Sequence, residues 1–219
     1  MKILLETDRL ILRVLDDNYW REVLSFLEKG RHIFELYEAG KVPMYYTEIY
    51  QKGVLSQEYA ATLGNRYVRY YVSLKENQDV IIGTVSCGSI SAEPFRCGTI
   101  GYKFDEDYWH KGYAKEAVSR VIDEIFNELG LHRLVANVME TNEPSIKLLE
   151  NMGFRLEGLC EKNIRVNGAW QNHWICSISA MAIWARSISK PWFGRRTLSV
   201  SGFTRFTTIW TCVFTVFLC

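Results

Sequence analysis

The segment from Ile100 to Ala117 constrains the fold most. A strand-like run ends there, a short polar stretch turns on Gly112, and a long amphipathic helix begins. Ala114, Ala117, Val118, Val121, Ile122, Ile125 and Leu129 recur at helical spacing, which predicts one apolar face over Tyr113–Leu129, closed by Gly130. Consecutive backbone N–H groups at His110, Lys111, Gly112, Tyr113, Ala114 and Lys115 point out of such a helix start. The helix dipole and these unpaired donors favour a phosphate or pyrophosphate. Gly112 lets an anion approach the backbone, and Lys111 and Lys115 add charge. An ordinary loop and cap gives the same pattern. Neither G-x-G-x-x-G nor G-x-x-x-x-G-K-[ST] occurs, which argues against a Rossmann dinucleotide site and a nucleotide-hydrolysing loop.

The rest of the chain supplies a sheet for that helix. Residues 8–14 predict a first strand, and Asp16 or Asp17 can cap a helix that Gly30 stops near Lys29. Residues 31–65 carry no clear pattern beyond the break at Pro43, and Thr47–Leu63 reads as one helix or two short ones. Arg66–Leu74, Val80–Ile90 and Cys97–Phe104 predict an antiparallel meander with turns at Lys75–Asp79 and Ser91–Phe95. Leu131–Val138 predicts a further strand. Asn142–Met152 predicts a helix with Asn142 as N-cap, Pro144 in its first turn and Gly153 as its stop. Phe154–Val166 and Trp170–Ser179 flank Asn167-Gly168, a strong hairpin signal. The fold class is a mixed α/β (α+β) domain ending near residue 180.

Charge divides the chain. Residues 1–161 hold 19 basic and 25 acidic residues, whereas residues 162–219 hold seven basic and none acidic. The acidic first part argues against a nucleic-acid partner. The N-terminus has no uninterrupted apolar run of the signal-peptide kind, and no stretch is long and apolar enough for a membrane span, so no membrane contact is expected for residues 1–181. The six cysteines show no CxxC or His-interleaved spacing. Metal is therefore not expected, and reduced thiols in the cytoplasm are.

Three signatures carry a resemblance. TDRLILR (Thr7–Arg13) resembles the first strand of the RimJ/RimL branch of the GNAT N-acetyltransferases. YWHKGYAKEA (Tyr108–Ala117) resembles that superfamily's pyrophosphate loop, Q/R-x-x-G-x-G/A. NEPSIK (Asn142–Lys147) with MGFRLEG (Met152–Gly158) resembles its next signature, N-x-x-S followed by GF-x-x-EG. Together they span about residues 5–180. The resemblance implies a GNAT acyl-CoA N-acyltransferase fold, a central, mostly antiparallel sheet flanked by helices. It implies acetyl-CoA in a V-shaped opening between the strands at 97–104 and 131–138. Backbone groups near Lys103 and Phe104 would bind the pantetheine arm, and His110–Lys115 the pyrophosphate. Asn142 would contact the cofactor and Ser145 would be a general acid, while an N3 position assisting the helix cap accounts for Ser145 equally.

Two positions depart from the pattern. Trp109 stands at the loop's usual Gln or Arg, and Ile164 stands where some relatives have a Glu before the NG turn. The base is thus open: Asp105, Glu106, Glu157 and Glu161 are available, each also readable as a solvated charge. A water-relayed proton or an amine of lowered pKa would also serve. His32, His132 and His173 have no spaced partners. Tyr45, Tyr46, Tyr50, Tyr67, Tyr70 and Tyr71 either shape a cation–π pocket for the amine or pack a core.

The resemblance implies transfer of acetyl from acetyl-CoA to a primary amine, a protein N-terminal α-amine or a small molecule. A non-catalytic acetyl-CoA-binding regulatory module is the alternative. Residues 182–219 match none of these patterns, and three readings stand: a segment foreign to the native domain, a membrane-surface or interaction tail, or an extra packed element of a homodimer.

Overall fold

The computed structural model describes residues 1–182. The chain begins with two strands, β1 (Leu4–Glu6) and β2 (Leu10–Arg13), paired antiparallel. The single strand expected over 8–14 is therefore the second arm of a hairpin. The turn forms because the Thr7 hydroxyl accepts the Leu10 N–H at 3.0 Å, while the Thr7 N–H donates to the Leu10 carbonyl at 3.1 Å.

Helix α1 (Trp20–Lys29) follows a 3-10 turn capped by Asp16, whose carboxylate accepts the Asn18 N–H at 3.0 Å. Gly30 ends α1, but a second helix, α2 (Arg31–Tyr37), starts directly after it. Gly30 has φ −84°, so it is no left-handed stop; a Cβ there would lie 2.2 Å from the Phe34 ring. Periodicity missed α2 because it is seven residues long with only Phe34 buried. Helix α3 (Glu48–Leu63) is continuous, and the Thr47 hydroxyl caps it by accepting the Tyr50 N–H at 3.4 Å. Thr47→Ala is expected to cost about 1 kcal/mol in urea unfolding. An unchanged midpoint would show that solvent caps α3 as well as Thr47 does.

Strands β3 (Val68–Leu74), β4 (Asn77–Gly88) and β5 (Cys97–Phe104) form the expected meander. The first turn is shorter than expected: Leu74 pairs with Asn77, so Asn77, Gln78 and Asp79 belong to β4. Strand β4 ends at Gly88 rather than Ile90. Helix α4 (Tyr113–Glu128) leads to β6 (Arg133–Met139), and α5 (Glu143–Met152) leads to β7 (Arg155–Val166) and β8 (Ala169–Ser179). Asn167 and Gly168 have φ of 49° and 80°, the paired left-handed residues that a type I′ hairpin needs. The boundary expected near residue 181 lies two residues past the end of β8. The tail expected over 182–219 lies outside the described residues beyond its first position.

The eight strands among the described residues run in the order β1-β2-β3-β4-β5-β6-β8-β7. All neighbours are antiparallel except β5 and β6. Helices cover both faces. Val118, Val121, Ile122 and Ile125 of α4 and Leu149 of α5 join one core with Leu10, Leu12, Val85 and Leu134. Val23, Phe26 and Leu27 of α1, Phe34 of α2 and Leu55 of α3 join a second core with Tyr71 and Ile81.

The parallel pair positions the site. Strands β5 and β6 are in register only from Cys97–Arg133 to Thr99–Val135. Beyond that β5 stays with β4 to Phe104, while β6 stays with β8 to Met139. The sheet parts there.

Candidate active site

The loop from β5 to α4 starts with a 3-10 turn at Glu106–Tyr108, capped by the Asp105 carboxylate, which accepts the Asp107 N–H at 3.1 Å. His110 then adopts φ 58° and Gly112 φ 81°, and α4 starts at Tyr113. Glu116 makes the first helical bond, its N–H reaching the Gly112 carbonyl at 3.1 Å. The amides of Tyr113, Ala114 and Lys115 precede that bond and face out of the helix start. A pyrophosphate fits this donor set: left-handed Gly112 presents no side chain to it.

Sequence reasoning gave Arg9 no role here, yet it braces the loop. Its guanidinium donates to the Lys111 carbonyl at 3.0 Å, pairs with Glu116 at 2.6 Å and lies 4.4 Å over the Tyr113 ring. Burial acts to raise the Glu116 pKa, but hydrogen bonds from Thr7 and Arg9 prevail and hold it below the usual range. Lys111 turns back, donating to the Asp107 carbonyl at 2.8 Å, and Lys115 is exposed. The Trp109 indole N–H donates to the Phe104 carbonyl at 2.9 Å. That carbonyl is one of the backbone groups near Lys103 and Phe104 expected at the pantetheine arm, and it keeps a second lone pair.

Side chains alternate along the parted end of β5. Tyr102 points to the α5 side, where its hydroxyl lies 2.8 Å from the Ser145 hydroxyl and 3.2 Å from the Ser145 carbonyl, and its single proton can meet either oxygen. Ser145 is fixed in turn because its N–H donates to the Asn142 side chain at 3.2 Å. Asn142 and Ser145 thus form a helix cap, with a phenol behind the serine. Burial pushes the Tyr102 pKa up to about 12, against the Ser145 hydrogen bond, so the phenol stays protonated at neutral pH. Tyr102 was missed because one tyrosine in an aromatic-rich sequence carries no signal of its own.

Lys103 points to the other face and meets Glu38, at the end of α2, at 2.8 Å. Glu38 also holds Lys41 at 2.7 Å, and the next residue, Ala39, bridges Val166 beside the Asn167–Gly168 turn. Glu38 was missed because it lies in the patternless stretch at 31–65.

The carboxylates considered as bases have other engagements. Asp105 is buried rather than solvated and binds Lys29 at 2.6 Å. Glu106 faces His32 at 3.1 Å. Glu157 holds Ser177 and Arg133. Glu161 is exposed. His173 is buried against the Gln171 carbonyl, and His132 sits on the turn into β6. No cluster of three metal-ligating side chains occurs among the described residues.

The tyrosine cluster splits. Tyr70 faces the α4 core and donates to the Lys2 carbonyl at 2.7 Å. On the opposite face, Lys41 lies 5.0 Å over Tyr45, Arg31 4.4 Å over Tyr46 and Arg69 5.7 Å over Tyr67. The chain's own cations already stack on these rings.

A sheet parted beside an anion-ready helix start, with paired hydroxyls on one wall, is the arrangement that the resemblance to the GNAT N-acetyltransferases implied. The family model of the acetyltransferase (GNAT) domain matches residues 9–155. A probable N-acetyltransferase of Bacillus subtilis, YjcK, is 33% identical over 175 residues, covering 80% of this chain and 96% of that protein. The crystal structure of ribosomal-protein-S5-alanine acetyltransferase from Vibrio fischeri superposes with a TM-score of 0.77 at 30% identity, covering 81% of this chain and 97% of that one. Mycobacterium smegmatis RimJ in complex with CoA-disulfide superposes with a TM-score of 0.74 at 24% identity, covering 80% and 83%.

The chain belongs to the GNAT acetyltransferase family. It is an acetyl-CoA-dependent N-acetyltransferase, transferring acetyl from acetyl-CoA to an amine.

Proposed function

We propose that the acceptor is the α-amine of a protein N-terminus and that the transfer takes place in the parting of β5 and β6. The observation that carries this reading is the Tyr102–Ser145 contact on one wall of the parting, with the start of α4 at its end. The likeness to an S5-alanine acetyltransferase supports a protein α-amine over a small amine. A cytoplasmic location agrees with free cysteines at 87, 97, 160 and 176, the described positions. No helix among the described residues is long and apolar enough to cross a membrane.

In this reading the amides of Tyr113, Ala114 and Lys115 hold the pyrophosphate of acetyl-CoA, with Gly112 at the point of closest approach and His110 and Lys111 alongside. Backbone groups of β5 near Lys103 and Phe104 bind the pantetheine arm. The acceptor nitrogen attacks the thioester carbon and the C–S bond breaks. Ser145 protonates the departing thiolate and is reprotonated by Tyr102. Asn142 keeps Ser145 in place as the cap of α5.

Thiol release with acetyl-CoA, measured against peptides of varied N-terminal residue and against polyamines, tests the acceptor class. Faster turnover of polyamines than of every peptide would overturn the α-amine assignment. Arg9→Met is expected to weaken acetyl-CoA binding about tenfold by loosening the loop, the loss of roughly one charge-assisted bond. Calorimetry checks this, and an unchanged affinity would remove Arg9 from the binding loop.

A further inference from the structure

The Tyr102–Ser145 wall supplies a proton to sulfur. The acceptor's ammonium must lose one on the other side, and every carboxylate foreseen for that task is engaged elsewhere or exposed. Lys103 stands on the opposite face of β5 from Tyr102, in the stretch where β5 has left β6. Its side chain is only 14% exposed, with Nζ 2.8 Å from Glu38 and 4.9 Å above the Phe34 ring. The charged groups facing it are Glu38 from the end of α2, Lys41 from the loop that follows, and Arg69 from β3. Arg69 is itself tied to Glu58 of α3 at 2.9 Å.

We propose that Lys103, in its neutral form, accepts the proton of the incoming acceptor ammonium, and that Glu38 positions it. The inference rests on the proposed transfer to a protein α-amine in the parting, and it brings that amine in from the α1–α3 face, where Lys103 stands. One N–H bond of the ammonium breaks and one Nζ–H bond forms, which frees the lone pair that attacks the thioester. The proton then leaves to water past Glu38 and Lys41. The nitrogen's second proton goes to water as the adduct collapses, Ser145 gives its proton to sulfur and takes one from Tyr102, and Tyr102 recovers a proton from water. The whole reaction releases one proton.

Relative pKa values favour Lys103 over Glu38. An acceptor α-amine has a pKa of about 7.7–8.0, and a base works best when matched to its task. Burial lowers the Lys103 pKa to about 8, while Glu38 opposes that shift and Arg69 and Lys41 reinforce it. Burial acts to raise the Glu38 pKa, but Lys103 and Lys41 prevail and hold it below the usual carboxylate range, with each oxygen committed to a lysine. Glu38 is a poor proton acceptor at neutral pH, and Lys103 is a matched one.

The test is the pH profile of kcat at saturating acetyl-CoA and acceptor peptide, for wild type, Lys103→Arg, Lys103→Met and Glu38→Gln. Wild-type kcat should rise through an inflection near 8. Lys103→Arg keeps the charge and the pairing with Glu38 but stays protonated, so kcat should fall at least about tenfold and lose the inflection. A merely structural ion pair would leave that variant active. Lys103→Met should behave like Lys103→Arg. Glu38→Gln removes the group that favours the ammonium, so the inflection should move to lower pH. Calorimetry should show acetyl-CoA affinity unchanged in all three. Lys103→Arg within twofold of wild type, or an inflection that stays put in Glu38→Gln, would overturn the proposal. Should either Lys103 variant fail to fold by circular dichroism, the Glu38→Gln profile decides. Wild type releasing no thiol with any peptide would instead defeat the acceptor reading.

Discussion

Replacing Gly112 with valine is expected to weaken acetyl-CoA binding by about a hundredfold or more. Gly112 has φ 81°, a region that costs a side-chain-bearing residue roughly 1–2 kcal/mol and a β-branched one more. A Cβ there would lie 3.4 Å from the Arg9 guanidinium, so the valine methyls would crowd the group that braces Lys111 and Glu116. They would also stand where the anion meets the backbone, forfeiting at least one charge-assisted bond worth about 1.5–3 kcal/mol. The valine loop relaxes out of that region when empty and must be driven back on binding, so the two costs add to roughly 3 kcal/mol or more, two factors of ten. A truncated donor isolates the effect. Acetyl-pantetheine lacks the pyrophosphate, so its kcat/KM should differ little between wild type and Gly112→Val. Equal affinity of the two proteins for acetyl-CoA would end the pyrophosphate-loop assignment.

The second large effect concerns the proposed proton donor. Ser145→Ala and Tyr102→Phe should each lower kcat by about 10²- to 10³-fold, within the usual range for a general acid. Since the lost contact acts on the departing sulfur, kcat and kcat/KM should fall together while acetyl-CoA affinity holds. The two hydroxyls lie 2.8 Å apart, and in the proposed relay they act as one, so the double variant should be scarcely worse than the more damaged single one. Additive losses would mean that Tyr102 and Ser145 act on separate steps. A fall in acetyl-CoA affinity with kcat intact would reduce both residues to packing.

What could be read from the sequence was what is local in the chain. Strand β5 has the predicted bounds, Cys97–Phe104, and α4 starts at the predicted Tyr113. The hairpin at Asn167-Gly168 was legible because its backbone demands those residues. Helix α2 was not, since seven residues with one buried side chain leave no periodicity to find. The side chains that fill in the site pair across the fold. Tyr102 meets Ser145 across 43 positions, Lys103 meets Glu38 across 65, and Arg9 meets Lys111 across 102. No spacing rule joins such residues. Asp105 was misjudged for the same reason: its burial under Lys29 comes from α1.

The short register between β5 and β6 has a mechanical consequence. Among the described residues, three paired positions are the only ladder joining a five-strand half, β1 to β5, to a three-strand half, β6 to β8. A pantetheine arm laid along the inner edges of both halves would add its own amides to that seam and act as a removable splint. Donor binding would then stiffen the molecule across its weakest line. Amide exchange at Ile100–Phe104 and Ala136–Met139 should slow when coenzyme A is bound, more than at strands far from the seam.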